Sequence, residues 1–256
     1  MKPIKKNDEK PSETNLEVPP QGPDRDPLDP QALSTQPTVP THTYKKDRAK
    51  VINFFGKRGA GKTTVIRGQL LDCRPPVVVI DILGNFQNPN YFQSESLSQT
   101  ITEISNQLKN DKYKIIVLKT PDPNLAVDYL SATLWEVEGG TLVLDEIDAF
   151  NISESPCFDQ LIRYGRNKNI SIITGCRRPA EVSRNITAAA NQMYAMKTNE
   201  PRDIDYFSQT IFGEYAYELM RLPEFHGLYV DYDLSEKGIF RFDINGHIFK
   251  LKSDAL

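Results

Sequence analysis

Short apolar runs alternate with amphipathic stretches along most of the chain. Residues 50–55 (KVINFF) predict a buried strand, and 76–81 (PVVVID) a second, bounded by proline and by the Gly84-Asn85 breaker. Residues 113–119 (YKIIVLK), 141–147 (TLVLDEI) and 170–175 (ISIITG) predict three more, and 191–197 a sixth. Helical spacing falls between them, over about residues 62–72, 94–110, 124–137 and 156–167. Continuous β-branched runs joined by helices predict a mostly parallel sheet covered on both faces.

The two ends of the chain break this pattern. Residues 238–251 (GIFRFDINGHIFKL) alternate around Asn245-Gly246, a hairpin signal, with 226–233 as a neighbouring strand. A two-residue turn there pairs Phe242 with Phe249 and Phe240 with Leu251, on one apolar face. This C-terminal β-hairpin, about 238–252, either completes the core sheet or makes a subunit contact. Residues 1–48 hold half of the chain's 18 prolines and no aromatic residue before Tyr44. With so little to bury, they read as a disordered tail or tether, or as a docking segment, ahead of one domain over 49–256.

Composition narrows the class. Of 256 residues, 39% are hydrophobic and 25% charged, with a net charge of −3, so no global basic field advertises nucleic acid. Cys73, Cys157 and Cys176 are too few and too scattered for a disulfide framework or zinc site, and the three histidines lie far apart. No run reaches the ~18 apolar residues of a membrane span, and no secretion signal opens the chain. The expectation is a soluble, cytoplasmic protein.

The stretch 56–63, GKRGAGKT, satisfies G-x-x-x-x-G-K-[ST] between a predicted strand and helix, the context a P-loop requires. Gly56, Lys57, Arg58, Gly59, Ala60, Gly61, Lys62, Thr63 and Thr64 form the expected nucleotide-binding set. Glycines let backbone N–H groups turn toward phosphate oxygens, and the helix N-terminus adds partial positive charge. Lys62 reaches the β- and γ-phosphates, and Thr63 offers its hydroxyl to Mg²⁺. An apolar strand ending in Asp145-Glu146 then has a purpose. Asp145 faces the dication held by Thr63, and Glu146 orients and deprotonates attacking water. The length of chain between loop and acid pair predicts an α/β, three-layer P-loop NTPase of the additional-strand class, with ATP and Mg²⁺ as ligands.

From the loop to about residue 232 the chain resembles the FtsK–HerA superfamily of DNA-pumping ATPases. The likeness rests on GKRGAGKTT, on VVVIDILGNF with its acidic end, and on RNKNISIITGCRRP at 166–179. The resemblance implies that Arg166 is an arginine finger reaching a neighbouring subunit's nucleotide, with Arg163 as fallback. The other reading makes Arg163, Arg166 and Lys168 a solvated basic helix end. Arg177 stands where the family usually has a polar glutamine sensor, so it serves the nucleotide or contacts DNA. Arg178 and Arg184 complete a cluster suited to DNA phosphates.

Within the superfamily, RRPAEVSRNITAAANQ resembles the genome-packaging ATPases of tailless icosahedral viruses with an internal membrane. That likeness implies a motor translocating double-stranded DNA, working as a homo-oligomeric and hexameric ring, with capsid or packaging-vertex proteins as further partners. Two alternatives stand beside it: a Zot-like virion or protein assembly ATPase, and a HerA-like DNA-processing translocase of a mobile element.

Overall fold

The computed structural model describes residues 48–110 and 112–251. The disordered-tail expectation for 1–48 falls almost wholly outside them. A ten-stranded sheet organises the described chain. Its strands are β1 (Val51–Phe55), β2 (Val77–Ile80), β3 (Phe92–Ser94), β4 (Ile116–Leu118), β5 (Gly140–Leu144), β6 (Ile170–Cys176), β7 (Gln192–Met196), β8 (His226–Asp231), β9 (Glu236–Phe242) and β10 (Ile248–Leu251). The helices are α1 (Lys62–Gln69), α2 (Leu97–Asn110), α3 (Pro123–Val137), α4 (Pro156–Tyr164), α5 (Arg184–Ala189) and α6 (Pro201–Phe207).

The order across the sheet is β10-β9-β8-β7-β1-β6-β5-β2-β4-β3. From β3 to β7 every pairing is parallel, and β8, β9 and β10 extend the sheet antiparallel. β6 therefore stands between the strand that feeds the P-loop and the strand that ends at Asp145. That inserted strand is what the additional-strand class requires.

Alternation along each strand divides the core in two. Val78, Ile80, Leu142, Leu144 and Ile172 face the side covered by α2 to α6. Val77, Val79, Val143 and Ile173 face the other, where the described cover is much thinner: α1, Phe86 and Tyr91 of the loop after β2, and the terminal hairpin. The buried Asn53 of β1 interrupts an apolar strand without a deficit. It accepts from Thr174 Oγ1 at 2.7 Å and donates to Ile186 O at 3.3 Å.

The sequence misplaced two details. β3 was not foreseen; its three residues lie ahead of the stretch expected to be helical and meet it only at Ser94, and α2 begins only at Leu97. The hairpin register also differs by one residue: Phe242 lies opposite Ile248, and Phe240 opposite Lys250. The turn is a three-residue loop with Gly246 at φ 84, closed by Gly246 N donating to Asp243 O at 3.0 Å. The Asp243 carboxylate accepts from Asn245 N and His247 N, both at 2.9 Å. A one-residue shift exchanges the faces of a strand. Phe240 and Phe242 are buried, whereas Phe249 is 42% exposed, under the Arg241 guanidinium.

The hairpin completes the core. Burying each of its two inward rings stabilises by about 1.5–3 kcal/mol. They end an aromatic column in which Tyr194 packs against Phe54, Tyr229 and Phe240, and Phe240 against Phe242. The turn rests directly on α1, since a Cβ on Gly246 would lie 2.0 Å from Thr64 O.

That contact sets a stability test. Gly246→Ala should cost ~2–4 kcal/mol in urea unfolding, combining a left-handed backbone with a backbone clash. Gly59→Ala, at φ 80 with nothing within 4 Å of its Cβ, should cost only ~1–2 kcal/mol. Equal losses would show that the hairpin does not bear on α1.

Candidate active site

All strands from β3 to β7 end at one edge of the sheet, and the predicted phosphate site lies there. β1 delivers Gly56, whose N–H donates to Cys176 O of β6 at 3.1 Å. The loop then turns through Gly59 (φ 80) and Gly61 (φ 97), backbone that an L side chain resists. Gly56 is needed for another reason: a Cβ there would lie 2.8 Å from Met196 Cβ. The first turn of α1 holds no acidic residue and no side-chain cap, so its N–H groups remain available to an anion.

Lys62 is only 4% exposed. Its amine donates to Gly56 O at 2.8 Å and to Lys57 O at 3.4 Å, bracing the loop from within. Thr63 Oγ1 donates to Asp145 Oδ2 at 2.6 Å, tying α1 to the end of β5 across the intervening β6. The approach depends on Gly175, where a Cβ would lie 2.5 Å from Asp145 Oδ1. Burial pushes the Asp145 carboxyl above its usual range, against the pull of Thr63 and Lys62.

Glu146 occupies a strained position, with φ 62 for a residue that is not glycine. This bend turns its side chain away from the path of β5. Burial raises its pKa, partly offset by Lys62 and Arg177 and reinforced by Asp145 and Asp148. Arg177 Nε lies 2.8 Å from Glu146 Oε2, but its hydrogen bond goes to Asp148 Oδ2 at 3.0 Å. Glu146 Oε2 is buried without an aligned donor. Arg177 itself is half exposed, so the pair contributes little to stability. It holds a geometry that a competing anion can take over.

The residues fit Mg²⁺. Asp145 Oδ1 is buried with no hydrogen-bond partner beside a hydroxyl at the mouth of a phosphate loop. A single carboxylate plus Thr suits an ion that takes its remaining ligands from phosphate and water. Asp81, the acidic end of β2, is occupied otherwise: it accepts from Asn85 N at 2.9 Å and Phe86 N at 2.7 Å, capping its own turn.

The predicted arginines separate. Arg177 and Arg178 line a cleft of about 550 Å³ with Lys57, Arg58, Asp148 and the acidic residues Glu181, Glu200 and Asp203. Arg184 is exposed on the first turn of α5 and does not line that cleft. Arg166 precedes β6, at the opposite edge of the sheet from the loop. It is 46% exposed, with Asp233 Oδ1 at 3.4 Å. Arg163 is engaged with Asp159 at 2.7 Å, and Lys168 with Glu138. Another cavity, of about 480 Å³, also lies at the far edge; the loop's free N–H groups and the acid pair favour the first edge as the site.

No family model matches this sequence, and no curated protein does. Solved structures do. The genome packaging NTPase B204 from Sulfolobus turreted icosahedral virus 2, in complex with AMPPCP, superposes with TM-score 0.61 at 16% identity, covering 74% of this chain and 96% of that one. Its sulfate complex gives 0.60 at 16%, covering 75% and 96%. The DNA-packaging ATPase B204 from Sulfolobus Turreted Icosahedral Virus gives 0.57 at 16%, covering 74% and 96%.

The fold is that of a P-loop ATPase. The FtsK–HerA resemblance read from the sequence agrees with this fold. Within the ATPase fold, two contributors escaped the sequence reading. Asp148, the third acid of DEIDAF, has a local signal that passed unused. Phe242, whose ring covers Gly61 at the loop, has none, because only the folded hairpin brings them together.

Exchanging the Glu146 carboxylate for an amide retains its shape and removes its basicity. Glu146→Gln should keep the ATP dissociation constant within about threefold. Turnover should fall by about 10²–10⁴-fold. Equal loss of both would make Glu146 a structural residue.

Proposed function

We propose that the protein is an ATP-hydrolysing motor that translocates double-stranded DNA, acting in viral genome packaging as a homo-oligomeric ring. The observation that carries this reading is the coincidence of two things. A complete loop, Lys62, Thr63, Asp145 and Glu146 site sits in a fold shared along 96% of a viral packaging NTPase.

In this reading the loop N–H groups and Lys62 bind the β- and γ-phosphates, and Thr63 and Asp145 hold Mg²⁺. That ion, when bound, neutralises charge on the phosphate oxygens. Glu146 accepts the proton of the attacking water; its raised pKa brings the carboxylate's basicity closer to that task. Arg177, held by Asp148, lies within reach of the same edge and serves the γ-phosphate in cis.

Arg166 is free of its own subunit's loop, which supports its role as the finger offered to a neighbour's nucleotide. Lys57, Arg58 and Arg178 line the adjoining cleft, and Arg178 and Arg184 are the residues assigned to DNA phosphates. Few such contacts per subunit are enough when a ring repeats them around a duplex. The net charge of −3 is compatible with that arrangement. Among the described residues, no helix is long and apolar enough to cross a membrane.

Steady-state ATP turnover with and without duplex DNA tests this function. Duplex should stimulate turnover, and the stimulation should shrink steeply between about 50 and 200 mM salt. Turnover indifferent to DNA at every salt concentration would contradict translocation and favour a protein-assembly load.

A further inference from the structure

The phosphate loop fixes where a triphosphate lies, but the nucleobase needs a surface beyond it. One aromatic ring lies on the loop and a second packs against the first. Phe242 lies on Gly61, the residue before α1, so closely that a Cβ there would be 2.4 Å from its Cζ. Phe225 meets Phe242 edge to face, with centroids 5.6 Å apart and planes at 86°. The two are also joined through the backbone, Phe242 N donating to Phe225 O at 3.0 Å.

Phe225 is unusual on two independent counts. Its ring is 60% exposed although it borders a buried aromatic column. Its φ is 61, in the left-handed region that a bulky residue seldom adopts. Packing against Phe242 uses only part of the ring, and glycine there would put no ring in water and leave the backbone unstrained. Strain of this kind persists where surrounding structure over-determines it, and it clusters at ligand clamps. Here the neighbouring feature is a phosphate loop.

We propose that the exposed face of Phe225, backed by Phe242, is the platform on which the base of the bound nucleotide stacks. This rests on the nucleotide-binding reading of the loop and adds base recognition to it. Stacking reads a π face rather than a hydrogen-bond pattern. The subsite therefore favours purine over pyrimidine nucleotides by ring area and separates ATP from GTP only weakly.

Phe225→Gly removes the ring and suits the backbone, so thermal stability should be kept or raised. The dissociation constants of ATP and of inorganic tripolyphosphate, each with Mg²⁺, are then compared in the two proteins. ATP should weaken about tenfold, equal to about 1.4 kcal/mol, while tripolyphosphate, which has no base, is unchanged. Phe225→Tyr should retain wild-type affinity for ATP. ATP bound equally well by Phe225→Gly would overturn the platform and leave the phosphate site standing. A parallel loss for both ligands would also overturn it, because Phe225 would then be shaping the loop. Failure of the wild-type protein to bind either ligand would remove the nucleotide reading, and this proposal with it.

Discussion

The hydrogen bond from Thr63 to Asp145 joins two parts of the chain that the sheet keeps one strand apart. Thr63 belongs to the helix that follows β1, Asp145 to the end of β5, and β6 passes between them. The bond forms because Gly175 of β6 presents no side chain at the crossing point. A parallel sheet makes this geometry available, since its strands all deliver their C-terminal ends to one edge. Phosphate donors, the buried amine of Lys62 and two carboxylates then converge without any long-range loop. The cost is a buried carboxylate with one oxygen unpartnered, tolerable where a cation completes the site.

A second constraint comes from the far end of the chain. The terminal hairpin lays its turn on Thr64 and Gly68 of α1 and its Phe242 ring on Gly61. Among the described residues, one face of the sheet therefore relies on three thin elements, and the hairpin lies against both α1 and the phosphate loop. From Phe242 at the loop the packing continues through Phe240 to Tyr194 along the aromatic column. Arg177 marks the opposite flank, where a half-exposed side chain is held by Asp148 and lies against Glu146. One flank is fixed by dry packing, the other by ion pairs that an anion can displace.

Much of this was legible in the sequence, for identifiable reasons. The P-loop and the Asp145-Glu146 strand end are local: adjacent residues specify both the backbone and the chemistry. The parallel strands announced themselves through continuous β-branched runs. The hairpin register did not, because Asn245-Gly246 is compatible with two- and three-residue loops. Capping by the Asp243 carboxylate, together with the fit of Gly246 against α1, decides between them. β3 was too short to show a period. That Arg177 and Arg178 line the cleft and Arg184 does not was hidden, because sequence shows no cleft lining. The contact between Phe242 and Gly61 joins positions far apart in the chain, which no spacing rule can reach.

The chemistry of this edge depends most on Asp145 and Thr63 forming a cation site at the mouth of the loop. ATP binding measured with and without Mg²⁺, in the wild-type protein and in Asp145→Asn, addresses this directly. Mg²⁺ should tighten ATP binding to the wild-type protein. In Asp145→Asn that gain should be lost, while binding in the absence of the metal is retained, since the loop N–H groups and Lys62 are untouched. An unchanged response to Mg²⁺ in Asp145→Asn would contradict the account, leaving the bond to Thr63 as a structural tie alone.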